Sequence, residues 1–455
     1  MPHPNAMRRR WVIGVAGVPA LAAAVLVAYG ALRHRPAASP LPAATPAEPP
    51  AALAQAVVQA DRAPPEEDAP PPEPPSSLVG LDLARIASDA DGAFAPTEHG
   101  VARLSVDSGL QKTVGTLLSV RHFPEASVIL IEVATGRVLA YASHVEGGPA
   151  RDLAVESTAP SASVFKIVTA AALVEEAHLR PDTKRCYSGG EQRIAPADLI
   201  DDPQRDRWCT TLAGAMGRSI NTVFARLDKE DLTPPKLEAM ARRFGYGRAL
   251  AFDVPVQPSA LHVPSEPLDF ARTAAGFWNT TLSPLEAVEL SAIVARGGET
   301  VRPSIVDKVL SSSGAVVWTA PEGPAPRRVV AKETADDLAQ MMERTVVEGT
   351  CFRAFHDPRG TPYLPGISVA GKTGTLTDAE THRYYTWFTG YAPIHPQGEV
   401  RQVAVAVLVV NGPNWELKAN VVARETLRAY FAEHGAQGVS RPSVEAVARH
   451  KKKKS

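Results

Sequence analysis

The chain has 455 residues, a length for two or three domains, but its 41 prolines fall unevenly and much of the first hundred residues cannot build a core. Lys and Arg number 48 against 49 Asp and Glu, a formal net charge of −1 that excludes the broad basic field of a nucleic-acid binder. Only the tail, residues 436–455, turns basic, at Arg449 to Lys454 (RHKKKK); it reads as a solvated end, with contact to anionic lipid or polymer as the lesser alternative.

Residues 1–10 lead into an apolar run from Trp11 to Leu32, 22 residues without a charge. That length crosses a bilayer core as a helix and exceeds the apolar region of a cleavable signal peptide, so the run reads as an uncleaved anchor. Arg8, Arg9 and Arg10 precede it and Arg33 and Arg35 follow, so flanking charge leaves the orientation open. Residues 33–77 are rich in Pro and Ala with scattered acids (PPEEDAPPPEPPSS), a semi-rigid tether on the order of 100 Å long when extended. Residues 78–102 are read as a short pre-domain segment with one amphipathic piece around Leu81 to Ile86.

Residues 103–435 carry the folded body. Leu104 to Val120 reads as a helix after a short strand, and Ser127–Val133 and Arg137–Ser143 as a hairpin closed by Ala134-Thr135-Gly136. A helix begins at Thr233-Pro234-Pro235 and stops at Gly245. Ser283-Pro284-Leu285-Glu286 opens another, with Ser as N-cap, Pro at the first position and Glu completing a capping box. Another spans Ala335 to Glu348. Strands at Ile367–Leu376, Tyr384–Ala392 and Gln402–Val410 precede a last helix from Leu417 to His434. Strands at both ends with helices between predict an α+β fold: an antiparallel sheet flanked by helices, plus a mostly helical lobe and a cleft between them.

The centre of that body is Ala159 to Leu179, which reads after Pro160 as a helix apolar almost all the way round (Val164, Phe165, Ile167, Val168, Ala170, Ala171, Leu173, Val174), hence a helix through the domain interior. Ser163 and Lys166 interrupt it one turn apart, so hydroxyl and amine are neighbours. A lysine desolvated at the positive end of a helix is driven toward its neutral form and becomes able to take the proton of a serine, which is otherwise a poor nucleophile. The N–H of Ser163, at the helix start, is a candidate oxyanion donor. Such a pair recurs by chance roughly once or twice in a chain this long, so its weight depends on company.

Two further motifs supply it. Ser219-Ile220-Asn221 begins an apolar helical segment, its Ser suited to relay a proton and its Asn to bind an amide. Lys372-Thr373-Gly374-Thr375 lies at the end of a strand, where Gly374 permits close backbone approach, Lys372 offers a fixed positive charge and the N–H of Thr375 a second oxyanion donor. Cys186 and Cys209 bracket a polar loop and are expected to form a disulfide if the body lies outside the cytoplasm; their spacing fits no zinc site, no metal or cofactor is expected, and Cys351 is left as an inert odd thiol.

S-x-x-K, S-x-N and K-T-G in this order resemble the transpeptidase domain of penicillin-binding proteins. The likeness extends to LSVD with Leu110-Gln111, to VILIEVATGRVLAYAS, CYSGG…WCTTLAGAMGRSINTVFARL, TLSPLEAVELSAIVARGG, VAGKTGT and WFTGYAPI, covering Arg103 to His434. The resemblance implies that Ser163 is acylated by a peptidoglycan stem peptide or a β-lactam, with Lys166 as general base and Ser219 passing the proton to the leaving amine. It implies that Asn221 holds the substrate amide, that Lys372, Thr373 and Thr375 bind the terminal carboxylate beside Gly374, and that the N–H groups of Ser163 and Thr375 form the oxyanion hole. The substrate then lies outside the cytoplasm, with residues 1–10 inside, the inner membrane crossed by 11–32, and other cell-wall synthesis proteins as further candidate partners.

The chain departs from the family's usual plan in having only about 25 residues between tether and domain, where members carry a second module. Three alternatives stay open: a D,D-carboxypeptidase, a serine β-lactamase, and a non-enzymatic β-lactam sensor or wall-binding scaffold. For the β-lactamase reading, Glu266 in Glu266-Pro267-Leu268 is the nearest candidate for a water-activating acid.

Overall fold

The computed structural model describes residues 75–442 apart from 191–192, 278, 379, 414–416 and 435–437. The apolar run 11–32, nearly all of the tether and the basic stretch of the tail therefore lie outside the described residues. Among the described residues no helix is long and apolar enough to cross a membrane.

The main sheet joins strands from both ends of the body. Its order is β10 (Ala370–Asp378), β11 (Arg383–Ala392), β12 (Val403–Asn411), β4 (Glu125–Glu132) and β5 (Val138–Val145), every pairing antiparallel. All residues of β12 are buried, which explains its unbroken apolar run. Val403, Val405, Val407 and Val409 face a core closed by α1 (Ser108–Ser119) and α9 (Ala419–Glu433); Ala404, Ala406, Leu408 and Val410 face the larger core that contains α2 (Lys166–Ala177) and α7 (Pro284–Ala295). One strand thus serves two hydrophobic layers, and a single Val→Ala change in it costs about 1–3 kcal/mol.

The capping box predicted before α7 forms: Glu286 N donates to Ser283 Oγ at 3.1 Å and Ser283 N donates to Glu286 Oε2 at 3.0 Å. Asp107 caps α1 in the same way, accepting from Leu110 N at 2.8 Å. Residues 78–102 differ from expectation. Instead of a separate piece they supply β1 (Ala87–Asp89), β2 (Gly92–Thr97) and β3 (Gly100–Leu104), which join β8 (Val306–Leu310) and β9 (Val316–Thr319) in a second five-stranded sheet. β1 and β2, and β2 and β3, pair locally, and β3 joins them to β8, some 200 residues later in the chain.

The helical lobe contains α2, α3 (Leu212–Arg218), α4 (Asn221–Asp231), α5 (Pro234–Arg243), α6 (Pro267–Ala274) and α8 (Lys332–Val347). Every residue of α2 from Lys166 to Val174 is buried, as its apolar circumference requires. The lobe meets β10, the edge strand of the main sheet, and the cleft opens along that seam.

Candidate active site

The chain approaches Ser163 under tight control. Ala159 and Pro160 pair with Leu282 and Thr281, Ser161 N donates to Thr280 O at 3.1 Å, and the buried indole of Trp387 donates to Pro160 O at 2.9 Å. Ala162 then takes a left-handed φ of 49°, which costs a residue with a Cβ of order 1 kcal/mol and sets the turn Ala162–Phe165 in front of α2. The expected single helix from Pro160 is thus split into an extended entry, a 3-10 turn carrying Ser163, and α2 beginning at Lys166. The Ser–Lys adjacency survives the split: Lys166 Nζ donates to Ser163 Oγ at 3.0 Å.

Lys166 is wholly buried and its amine is held on three sides. It also donates to Asn221 Oδ1 at 2.5 Å and to the carbonyl of Ala275 at 2.7 Å, and it lies 5.4 Å from the centre of the Phe224 ring. Ala275 and Gly276 follow α6 and were not singled out in the sequence. A Cβ on Gly276, where φ is +83°, would fall 2.3 Å from Ala162 O and 2.9 Å from Ser163 Cα. This wall therefore needs glycine to reach Ser163 at all.

Ser219 does not begin a helix. It ends α3 in a left-handed conformation (φ 57°), and α4 starts two residues later at Asn221. The break turns the Ser219 side chain out between two helices, where it accepts from Lys372 Nζ at 2.9 Å. Lys372 sits in β10 opposite Thr389, is fully buried, and donates also to Thr373 O at 2.8 Å. Thr373 Oγ1 lies 2.7 Å from Thr350 Oγ1, a contact built by α3 packing against α8: Thr350 N donates to Gly217 O at 3.0 Å, and a Cβ on Gly217 would meet Arg344 Cβ at 2.8 Å. Gly374 lies against the turn that bears Ser163, where a Cβ would stand 3.1 Å from Ala162 Cβ. Ser163, Ser219, Asn221, Thr373, Gly374 and Thr375 all line one cleft of about 1140 Å³.

Burial governs the charges. Desolvation first, then the like charge of Lys372, drives the Lys166 amine well below its ordinary range, with Asp228 opposing. Burial also lowers Lys372 to about 7, so the fixed positive charge expected there is a proton held loosely until an anion arrives. Asp228 on α4 is buried with neither carboxylate oxygen hydrogen-bonded among the described residues, and burial holds it protonated well above the usual carboxylate range. An amine whose hold on its proton is weakened by burial, touching a serine hydroxyl beside a lysine able to pair with a carboxylate, is equipped for nucleophilic acyl transfer to an anionic substrate.

Cys186 and Cys209 face each other across β6 (Lys184–Tyr187) and β7 (Trp208–Thr211) and are disulfide-bonded, fixing the segment that runs directly into α3. Cys351 is a buried free thiol raised to about 12 by desolvation. Glu266 is the N-cap of α6, exposed and accepting from Asp269 N at 2.9 Å; it does not line the cleft, so the water-activating role considered for it has no geometric support. Thr350 was also missed, and no local pattern marks it; Trp387 stood within WFTGYAPI without an assigned role.

A family profile described as the penicillin binding protein transpeptidase domain matches residues 126–429. Stage V sporulation protein D of Bacillus subtilis is 25% identical over 344 residues, covering 70% of this chain and 52% of that protein. The peptidoglycan D,D-transpeptidase PbpA of Mycobacterium tuberculosis is 26% identical over 343 residues, covering 70% of this chain and 63% of that protein. The chain thus spans little more than half the length of these curated relatives. Among solved structures, the D,D-transpeptidase domain of a peptidoglycan glycosyltransferase from Eggerthella lenta aligns with a TM-score of 0.60 at 22% identity, over 77% of this chain and 95% of that one, a likeness of fold.

Proposed function

The chain belongs to the penicillin-binding protein transpeptidase family, and from that premise we propose that it is an acyl-serine D,D-transpeptidase of peptidoglycan stem peptides, which β-lactams acylate at the same residue. One observation carries the reading: a fully buried lysine, Lys166, whose Nζ lies 3.0 Å from Ser163 Oγ and whose affinity for a proton burial drives well below the ordinary lysine range. In the proposed reaction Ser163 Oγ attacks the carbonyl of the penultimate D-alanine and Lys166 accepts the serine proton. The N–H groups of Ser163 and Thr375 stabilise the oxyanion. The C–N bond then breaks, Ser219 delivers a proton to the departing D-alanine amine, and the acyl group stays on Ser163 until an acceptor amine takes it. Asn221 positions both Lys166 and the substrate amide, while Lys372, Thr373 and Thr375 bind the terminal carboxylate.

Residues 11–32 are proposed as a single membrane anchor and 33–77 as its tether, with residues 1–10 in the cytoplasm and the catalytic body outside it. The Cys186–Cys209 disulfide supports that placement, because such bonds persist in oxidising compartments.

Covalent labelling with a fluorescent penicillin tests the assignment. Wild-type protein takes up one label and Ser163→Ala takes up none; label retained by the variant would refute the nucleophile. The lifetime of the adduct then discriminates within the class. Persistence over many minutes fits a transpeptidase or carboxypeptidase, and release within seconds identifies a β-lactamase. Product analysis with a stem peptide and an acceptor amine separates the first two.

A further inference from the structure

The cleft carries charge that the chemistry at Ser163 does not use. Arg193, Arg218 and Arg272 line it together, and no Asp or Glu is among the described lining residues. In a chain of formal charge −1, three guanidinium groups lining one cleft are a local concentration. Their backing is largely neutral. Arg218 Nη2 donates to Thr210 Oγ1 at 2.9 Å, and Arg272 donates through Nη2 and Nε to the carbonyl of Ile194 at 3.1 and 3.3 Å. The second contact lays Arg272 beside the backbone that carries Arg193. Among the described residues Arg272 meets a carboxylate only at Asp269, 3.3 Å away, where the two side chains are 42% and 53% exposed and screening leaves little attraction.

Arg226 shows what a structural arginine looks like in the same lobe. It is 1% exposed, and its Nη1 donates to Asp206 at 2.6 Å and to the carbonyl of Cys186 at 2.9 Å. Its charge is matched and enclosed. The three cleft arginines line an open space instead, Arg218 and Arg272 each tethered by a guanidinium nitrogen to a neutral oxygen, and guanidinium groups beside open space suit binding of a carboxylate. The cleft, about 1140 Å³, exceeds the roughly 300–1000 Å³ that encloses a drug-sized ligand, so it has room for peptide residues beyond a terminal dipeptide.

We propose that Arg193, Arg218 and Arg272 form a second anion subsite that reads a side carboxylate of the donor peptide upstream of its D-alanyl-D-alanine end, while Lys372 takes the terminal carboxylate. The inference rests on the acyl-serine reading above and adds a specificity to it: the enzyme prefers donors whose upstream carboxyl is free over donors in which it is amidated.

The test uses the full chain and two synthetic peptides ending in D-alanyl-D-alanine, identical except that one bears an upstream free carboxylate and the other the carboxamide. The ratio of their kcat/KM values for D-alanine release is the readout. Wild type favours the acid by at least about fivefold at low ionic strength, and the preference shrinks as salt rises. The ratio falls to about one in R193Q/R218Q/R272Q. If that triple variant does not fold, Arg193→Gln and Arg218→Gln singly each lower the ratio by about twofold or more. A wild-type ratio near one, or a ratio unchanged in the variants that fold, overturns the subsite. Penicillin labelling of the wild type is measured alongside: labelling without the acid preference removes the subsite alone, whereas absence of labelling removes the acyl-serine reading beneath it.

Discussion

Lys372 Nζ donates to Ser219 Oγ at 2.9 Å across 153 residues of sequence, and so closes a circuit with the Lys166–Ser163 pair, which are only three residues apart. The two lysines are coupled as well as parallel, since the charge of Lys372 is, after desolvation, one of the causes that weaken the hold of Lys166 on its proton. Each serine therefore has its own amine, and the two amines want opposite protonation states. Lys166 works as a base only when neutral, and Lys372 binds a carboxylate only when charged.

That division predicts a bell-shaped dependence of acylation on pH. Lys166 must lose its proton for the acid limb to rise. Lys372 sits at about 7 in the unliganded site, so raising the pH past that value uncharges it and the alkaline limb falls. Lys372→Ala abolishes the alkaline limb and slows penicillin acylation by about ten- to a hundredfold, the worth of a charge-assisted hydrogen bond. Stopped-flow acylation rates across pH check both; an alkaline limb retained in the variant belongs to another group.

Gly276→Ala is expected to disable the site out of proportion to its size. The added methyl meets Ala162 O and Ser163 Cα, and the backbone there has a φ of +83°. The turn bearing Ser163 must shift, and displacing the nucleophile by about 1 Å is enough to cost on the order of a hundredfold in acylation. Gly374→Ala, whose methyl would stand 3.1 Å from Ala162 Cβ, is milder. Penicillin labelling rates for the two variants, with circular dichroism to confirm folding, rank them.

The disulfide closes a separation of 23 residues, for which loop entropy gives a stabilisation of about 3 kcal/mol. Reduction, or Cys186→Ser with Cys209→Ser, should lower the Tm. It should also slow acylation through the loosened approach to α3 and Ser219. Native protein without reductant should show no thiol reactive to alkylation, because Cys351 is buried and raised to about 12; one thiol appears on denaturation and three after reduction as well.

Asp228 makes the stability depend on pH. Its carboxyl is protonated in the fold well above the unfolded value of 3.8, so from about pH 4 upward the unfolded chain has released a proton that the folded chain still holds. The folded state then loses stability as pH rises, by up to about 1.4 kcal/mol per unit for this one group. Asp228→Asn cannot titrate, so its stability relative to wild type should grow between about pH 4 and neutrality. Chemical denaturation at a series of pH values measures the slope, and parallel slopes would show Asp228 ionised in the fold.

The local chemistry of this chain was written in consecutive residues. The capping box at Ser283 and Glu286, the all-round apolar α2 and the Ser163–Lys166 adjacency follow from helical geometry over a few residues, and they form. The strand Val403–Asn411 was visible in its apolar run because both faces of the sheet are covered there, whereas the strand expected from Ile367 begins at Ala370 and is a partly exposed edge. Local pattern failed where a residue's state depends on something far along the chain. The strands within residues 78–102 were built into a five-stranded sheet only through the pairing of β3 with β8. Ser219 became the end of one helix rather than the start of another, and Thr350 and the carbonyl of Ala275 entered the site through packing alone. Charge shows the divide most clearly. That Lys372 is a lysine is a fact of sequence; that its proton is held at only about 7 is a consequence of the sheet edge and helical lobe closing water out around it, and desolvation belongs to the folded whole.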